Sequence, residues 1–296
     1  MLPNFICPGA QKSGTSALYR ILKQHPDIYL PDCKETRFFW RETNFARGAV
    51  WYEQEFFSDV RGERIVGDIT PEYMYFSSVP KNIKNTLGDK PKLIFLLRNP
   101  IERAYSHYLM SYRRGFEKES FERAIELEES RIRRGEFEKN HFSYLSRGLY
   151  ARQIRRFLKY FLKDDMKFVL FEDFKRDMPS AINEILSFFH LEPAGDTNFH
   201  VNTNPARMPR CFALQNLVRQ PPRVLVRSVR WLVPFVRIRG DMKNGLVETM
   251  NRLNERLLPN TGVSAETRQN LLSFYRKDIA QLEEIIDKDL RTWLYT

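Results

Sequence analysis

The sequence predicts an α/β protein: a three-layer fold in which helices flank a central, mainly parallel sheet. Three observations point there. Short apolar runs at Asn4–Cys7, Arg64–Asp68, Lys92–Leu97 and Lys167–Phe171 alternate with stretches of helical periodicity, the order expected when each strand returns through a helical crossover. Leu93-Ile94-Phe95-Leu96-Leu97 is continuously apolar rather than alternating, which suits a strand covered on both faces. A small-residue loop, Pro8-Gly9-Ala10-Gln11-Lys12-Ser13-Gly14-Thr15-Ser16, joins the first strand to the first helix.

The elements follow in order. After the strand at Asn4–Cys7, a helix over Ala17–Gln24 is ended by His25-Pro26, because proline disfavours helical geometry in the residue before it. Ile28-Tyr29-Leu30 is a second apolar run, stopped by Pro31. Aromatics then cluster through Phe38, Phe39, Trp40, Phe45, Trp51, Tyr52, Phe56 and Phe57. Arg64–Asp68 and Lys92–Leu97 read as strands, and Pro100–Arg114 as a helix with Asn99 as N-cap and Pro100 at the first helical position. Ile154, Phe157, Leu158, Phe161 and Leu162 have helical spacing, Lys167–Phe171 is the next strand, and Pro179–His190 the next helix. The last helix, Ala265–Leu290, carries Leu272, Tyr275, Ile279, Leu282 and Ile286 along one seam, with Ser264 as its cap. No internal repeat is visible. A single domain over residues 1–296, with a basic helical insertion at 205–262, is the simplest organisation.

Composition narrows the class. The 296 residues, 42% hydrophobic and 14% aromatic, suffice for a sizeable core. Cys7, Cys33 and Cys211 are odd in number and widely spaced, which argues against a disulfide framework and for a reducing compartment. The N-terminus lacks a basic segment followed by a long apolar one, and no run of about 18 or more apolar residues occurs. A soluble, cytoplasmic protein is expected. The net charge of +11 is concentrated: between Asp196 and Asp241 there is no acidic residue, while Arg207, Arg210, Arg219, Arg223, Arg227, Arg230, Arg237 and Arg239 fall there.

The loop after the first strand has the chemistry of a phosphate cradle. A strand, a small-residue turn and a helix N-terminus aim several backbone N–H groups and a positive dipole end at one anion. It is not an ordinary triphosphatase loop, which needs Gly-x4-Gly-Lys-Ser/Thr. Gly9 and Gly14 have that separation, but Thr15 takes the lysine position and the lysine lies earlier, at Lys12. A magnesium-binding acid at the end of a second strand is also missing, since Leu93–Leu97 runs into Arg98-Asn99-Pro100. A kinase is disfavoured.

These residues resemble a known family. Gln11-Lys12-Ser13-Gly14-Thr15-Ser16-Ala17-Leu18 is similar to the 5′-phosphosulfate loop of sulfotransferases that use 3′-phosphoadenosine 5′-phosphosulfate (PAPS). Arg98-Asn99-Pro100-Ile101-Glu102-Arg103-Ala104-Tyr105-Ser106 is similar to their 3′-phosphate motif. Lys34-Glu35-Thr36-Arg37-Phe38-Phe39, Gly67-Asp68-Ile69-Thr70-Pro71-Glu72-Tyr73 and Leu145-Ser146-Arg147-Gly148-Leu149-Tyr150 complete five matches in order, nearest to the heparan-sulfate branch and its bacterial counterparts. The resemblance implies a P-loop-like fold and metal-independent sulfuryl transfer, with 3′-phosphoadenosine 5′-phosphate (PAP) as the product. In that scheme the backbone of Ser13, Gly14, Thr15 and Ser16 holds the 5′-phosphate, and Lys12 neutralises the leaving phosphate. Arg98 and Ser106 bind the 3′-phosphate. Glu35 is the implied base. A carboxylate among aromatics is raised toward neutrality by desolvation, which suits a base, but Arg37 stands where relatives often have histidine and would pull Glu35 back down if the two pair. Ile69 replaces a lysine of the heparan-type enzymes, so the acceptor or the charge arrangement differs. Tyr73 and Tyr75 are candidates for the acceptor pocket.

Each assignment has a plainer alternative. Lys12 could be an exposed lysine at a Gly-Ser helix start, Arg98 could cap a carbonyl or pair with Glu102, and Glu35 could form a surface pair with Lys34 or Arg37. His25, His107, His141, His190 and His200 lack ligand spacing, so no metal site is expected. The basic stretch at 205–240 reads as an amphipathic helix for an anionic membrane or an acidic partner, as a cofactor-closing loop carrying Arg207 or Arg210, or as a solvated face. A saccharide, a lipid headgroup, a polyketide hydroxyl and a small metabolite are all compatible acceptors; the basic stretch tilts the choice toward an acidic glycan or lipid, with peripheral membrane contact a further option, and no recognition motif supports nucleic acid. The competing functions are a nucleotide-dependent phosphotransferase and a non-catalytic anion- or membrane-binding adaptor.

Overall fold

A computed structural model describes residues 1–89, 91–193, 207–209, 255–257 and 262–295. These fall into two compact units, one comprising Met1–Ala104, Tyr144–Thr203 and Glu266–Thr296, the other Tyr105–Ser143 and Asn204–Ala265.

The first unit is built on a five-stranded sheet: β1 (Phe5–Gly9), β2 (Ile28–Tyr29), β3 (Ile65–Ile69), β4 (Lys92–Leu97) and β5 (Met166–Leu170). Their spatial order is β2-β3-β1-β4-β5, and every pairing is parallel. Helices α1 (Thr15–Leu22), α2 (Glu42–Phe45), α3 (Gly48–Phe57) and α4 (Val79–Leu87) connect the early strands, and α5 (Pro100–Arg113) leaves β4. β1 is buried along its whole length and β4 from Leu93 to Leu97, which explains their unbroken apolar runs. Leu18, Ile21 and Leu22 of α1 meet Phe5 and Cys7 from one face. Burial pushes the Cys7 thiol up to about 12, so it acts as a small core hydrophobe.

The chain direction reverses around β1. β3 and β2 lie on one side of it, β4 and β5 on the other. Such a switch point opens a crevice at the carboxyl ends of the two strands, here β1 and β4. The amide of Ala10 donates to the Leu96 carbonyl at 2.7 Å, carrying the pairing past the end of β1. The loops after both strands therefore start side by side.

Small boundary shifts have local causes. The helix expected from Ala17 begins at Thr15, because Gly14 supplies the left-handed cap (φ 93°) that starts it two residues early. Asn99 caps α5 as expected, its Oδ1 accepting from the amides of Ile101 and Glu102. β5 ends at Leu170, and Phe171 opens the short helix α10 (Phe171–Arg176). Helix α9 (Tyr150–Leu158) precedes β5, and α11 (Met178–Phe188) follows α10. The last helix, α12 (Ala265–Ile286), buries Leu271 rather than Leu272 with Tyr275, Ile279, Leu282 and Ile286. That is the better 3.6-residue register.

The second unit contains the rest of α5, α6 (Phe121–Glu126), α7 (Glu128–Ile132) and α8 (Glu136–His141). Half-buried Arg131 pairs with buried Glu117 at 2.6 Å and ties α7 to the turn before α6. Arg207–Pro209 and Glu255–Leu257 form a two-stranded antiparallel ladder. The rest of the expected basic insertion, including Arg210 and the arginines from 219 to 239, lies outside the described residues. No helix among the described residues is long and apolar enough to cross a membrane.

Candidate functional site

The loop after β1 turns on two left-handed residues, Lys12 (φ 75°) and Gly14 (φ 93°). At Gly14 a side chain would be crowded: a Cβ would lie 3.1 Å from the Phe171 ring, which would have to give way. The Ser13 amide donates to the Ala10 carbonyl at 3.2 Å, so the Ser13 N–H is spent on closing the turn. The amides of Gly14, Thr15 and Ser16 have no hydrogen-bond partner among the described residues. They form the open amides of a helix N-terminus, the arrangement that holds an anion. Thr15 is buried and Ser16 exposed, so the two hydroxyls differ in access.

Arg98 leaves the end of β4 and reaches across to this loop. Its Nη1 donates to the Lys12 carbonyl at 3.2 Å, and its guanidinium lies 4.8 Å from the centre of the Phe171 ring. No carboxylate lies within ion-pair distance of it among the described residues. Of the two options in the plainer reading, pairing with Glu102 does not occur, since Glu102 is bound to Arg268 at 2.5 Å, whereas capping of a carbonyl does, at Lys12. Burial pushes the Arg98 guanidinium down from its ordinary value, against a smaller pull upward from Glu102. A partly buried cation without a counter-ion favours an anionic ligand.

Two further elements hold Arg98 in place. Tyr150, fully buried at the start of α9, donates its hydroxyl to the Arg98 carbonyl at 2.9 Å. Glu172 of α10 accepts the Asn99 amide at 3.0 Å. In turn Gly148 lets Tyr275 approach, because a Cβ there would come 2.8 Å from the Tyr275 hydroxyl. The Leu145–Tyr150 stretch thus braces the arginine. Ser106 lies half-buried on α5 in the second unit.

Glu35 lies in the loop after β2 and is partnered twice. Lys34 Nζ donates to its Oε1 at 2.9 Å and Arg37 Nη2 to its Oε2 at 3.1 Å. Burial alone would raise this carboxylate, but Lys34 and Arg37 outweigh it and hold Glu35 below the usual range. The expectation of a carboxylate raised toward neutrality is therefore corrected: the pairing with Arg37 occurs, and Lys34 adds to it. Arg37 also faces Glu72, its Nε 3.7 Å from the Glu72 Oε1. Burial and the nearby Glu35 charge push buried Glu72 up.

Tyr73 is not a pocket residue. It is fully buried, and its hydroxyl donates to Asp68 at 2.8 Å. Tyr75 is half-buried, with its hydroxyl 2.8 Å from the Ser146 Oγ and Arg147 over its ring at 4.5 Å. Sequence reasoning missed Glu72, Tyr150 and Phe171 as site-shaping residues. A polar Asp68 near the end of an otherwise apolar strand was the one visible signal of the network below Glu35.

Known proteins resemble this chain in sequence and in fold. Residues 2–215 match the family described as "Sulfotransferase domain". The Dictyostelium discoideum "Membrane-associated sulfotransferase kil1" is 37% identical over 112 residues, covering 37% of this chain and 23% of that protein. The mouse "Heparan sulfate glucosamine 3-O-sulfotransferase 3B1" is 29% identical over 202 residues, 68% of this chain and 50% of that protein. The chain thus spans half or less of the length of these curated relatives. A crystal structure of a sulfotransferase from Alicyclobacillus acidocaldarius superposes with a TM-score of 0.69 at 27% identity, covering 99% of each chain.

Proposed function

Because the chain belongs to the sulfotransferase domain family, we propose that it moves a sulfuryl group from PAPS to a hydroxyl or amine of a saccharide acceptor. PAPS supplies the activated sulfuryl group when bound. The residues present fit it: open amides at Gly14, Thr15 and Ser16 suit the 5′-phosphate, and the Thr15 and Ser16 hydroxyls can assist. Lys12, half-buried in the same loop, offsets charge on the departing phosphate. Arg98 grips the 3′-phosphate, for which a guanidinium has two parallel donors.

One observation carries this reading. At the switch point a helix-capping amide cradle and a partly buried, carboxylate-free arginine are joined directly through the Lys12 carbonyl. A kinase-like site would place a metal-binding acid at the end of β4, where Arg98 and Asn99 stand. Glu35, ionised at neutral pH, accepts the acceptor's proton on its carboxylate. Its low pKa makes it a weak base that is always ready rather than a strong one seldom deprotonated.

The acceptor class rests on relatives named for heparan sulfate. An acidic glycan is the first choice, with an anionic lipid surface as the competing site of action. Calorimetric titration with PAP, with ATP and ADP as controls and with and without magnesium, tests the donor assignment. Tight binding that needs the 3′-phosphate and ignores magnesium is expected; ATP binding that requires magnesium would sink it. Turnover of PAPS against an unsulfated glucosamine–uronic acid polymer, with Glu35→Gln as the comparison, tests the base.

A further inference from the structure

Asp68 is completely buried and has no cation within ion-pair distance among the described residues, yet four hydroxyls point at it. Its Oδ2 accepts from Thr36 Oγ1 at 2.7 Å, Tyr52 at 2.6 Å and Tyr73 at 2.8 Å, and its Oδ1 accepts from Thr70 Oγ1 at 2.7 Å. A carboxylate in a core is costly unless its lone pairs are filled, and this cage fills them. The same shape could have been packed with apolar groups, so the cage calls for an explanation beyond stability.

The explanation lies in what Thr36 separates. Glu35 (φ 72°) and Arg37 (φ 57°) are both left-handed, a backbone state that residues with side chains rarely adopt. Thr36 between them is buried, while Glu35 and Arg37 remain partly open. Its hydroxyl meets Asp68 and Tyr73 and accepts from the Phe38 amide at 3.4 Å. Tyr52, a second Asp68 donor, stacks on Phe38 with ring centres 4.1 Å apart, and Tyr73, a third, accepts the Phe39 amide at 3.4 Å. Every residue from Thr36 to Phe39 except Arg37 is thereby tied to one carboxylate on β3. Asp68 is aligned with Ile6 of β1, the strand that leads into the phosphate loop.

We propose that Asp68 is a positioning residue: by gripping Thr36 it fixes the double left-handed turn that turns Glu35 and Arg37 outward as a pair. This rests on the reading of Glu35 as the base and extends it to the group that sets its place. Thr70 provides an internal control, since it donates to the same carboxylate without touching the Glu35 loop.

The test follows the Glu35 carboxyl by 13C NMR titration in the full chain labelled at glutamate Cδ, the signal assigned by its loss in Glu35→Gln. The groups facing Glu35 are Lys34 and Arg37, with Glu72 beyond Arg37. Thr36→Val should loosen the turn, weaken both ion pairs and move the Glu35 midpoint up by about half a pH unit or more. Thr36→Ser should restore the wild-type midpoint, and Thr70→Val should leave it in place. PAP binding by calorimetry shows that each variant is folded. If Thr36→Val does not fold, Asp68→Asn, which keeps the shape and weakens the acceptor, is read in the same way. An unmoved midpoint in a folded variant, or an equal shift in Thr70→Val, overturns the proposal. Near-normal turnover by Glu35→Gln would instead remove the base assignment, and the two failures are told apart.

Discussion

Arg98 Nη1 donates to the backbone carbonyl of Lys12 at 3.2 Å, so the residue that leaves β4 holds the left-handed corner of the loop that leaves β1. The bond makes one unit of two motifs 86 residues apart in sequence. It also predicts more than a lost ligand contact when Arg98 is removed. Arg98→Ala should weaken PAP binding by roughly 10- to 100-fold, the effect of losing about 1.5–3 kcal/mol of charge-assisted hydrogen bonding. Arg98→Lys should recover only part, because an ammonium cannot serve the Lys12 carbonyl and a phosphate with a planar fork. Calorimetry with PAP and with adenosine 5′-phosphate separates the effects: loss for both ligands points to the loop, and loss for PAP alone to the 3′-phosphate.

Gly14→Ala should cost both stability and binding. The new methyl meets the Phe171 ring at 3.1 Å and forces an L-residue into φ 93°, a combination worth about 1–3 kcal/mol. Since Phe171 also carries Arg98, displacing the ring disturbs the guanidinium as well. Thermal unfolding and PAP titration should therefore worsen together. Ser16→Ala, at an exposed position, should leave the melting temperature nearly unchanged.

What the sequence disclosed, and what it hid, follows from the range of the interactions. β4 was legible to the residue, because five consecutive buried positions, Leu93 to Leu97, leave little choice of register, and Asn99-Pro100 announces its own helix. The Lys12–Ser16 loop was legible because its chemistry is local. Glu35 was legible as a carboxylate with Lys34 and Arg37 in reach, but that both pair with it at once, and that Glu72 approaches, depend on how the turn is folded. The Asp68 cage was not readable: its donors come from positions 16 and 32 residues back, and from 2 and 5 ahead. Only the oddity of an aspartate in a buried strand hinted at it.

Gly67→Ala should destabilise the fold without changing the chemistry of the site. Gly67 faces Phe5 across the β1–β3 pair, and a Cβ there would lie 2.4 Å from the Phe5 ring and 2.7 Å from Leu30. Overpacking of this kind costs about 1–3 kcal/mol. Urea unfolding should show a lower midpoint with an unchanged slope. PAP affinity of the folded fraction should stay within about threefold, as expected for a site that is not touched.

The pH dependence of turnover should be set by the two cations on Glu35. In the folded chain Lys34 and Arg37 overcome the burial that would raise this carboxylate, so its pKa is depressed. A depressed carboxylate stays ionised as pH falls through the ordinary range, so the acid limb of kcat/KM in free enzyme should lie below the usual carboxylate values. Arg37→Ala removes one of the two cations and leaves burial in place, so the acid limb should move to higher pH. Stability follows the same sign: the contribution of Glu35 is fully present above its unfolded pKa and is lost as pH falls through the folded one. Arg37→Ala should erase part of that contribution in the acid range. It also takes from Glu72 a cation that now holds it down, and Glu72, already raised by burial, should rise further. A pH–rate profile of wild type and Arg37→Ala decides the matter. An acid limb that does not move would mean that turnover is limited by a group other than Glu35.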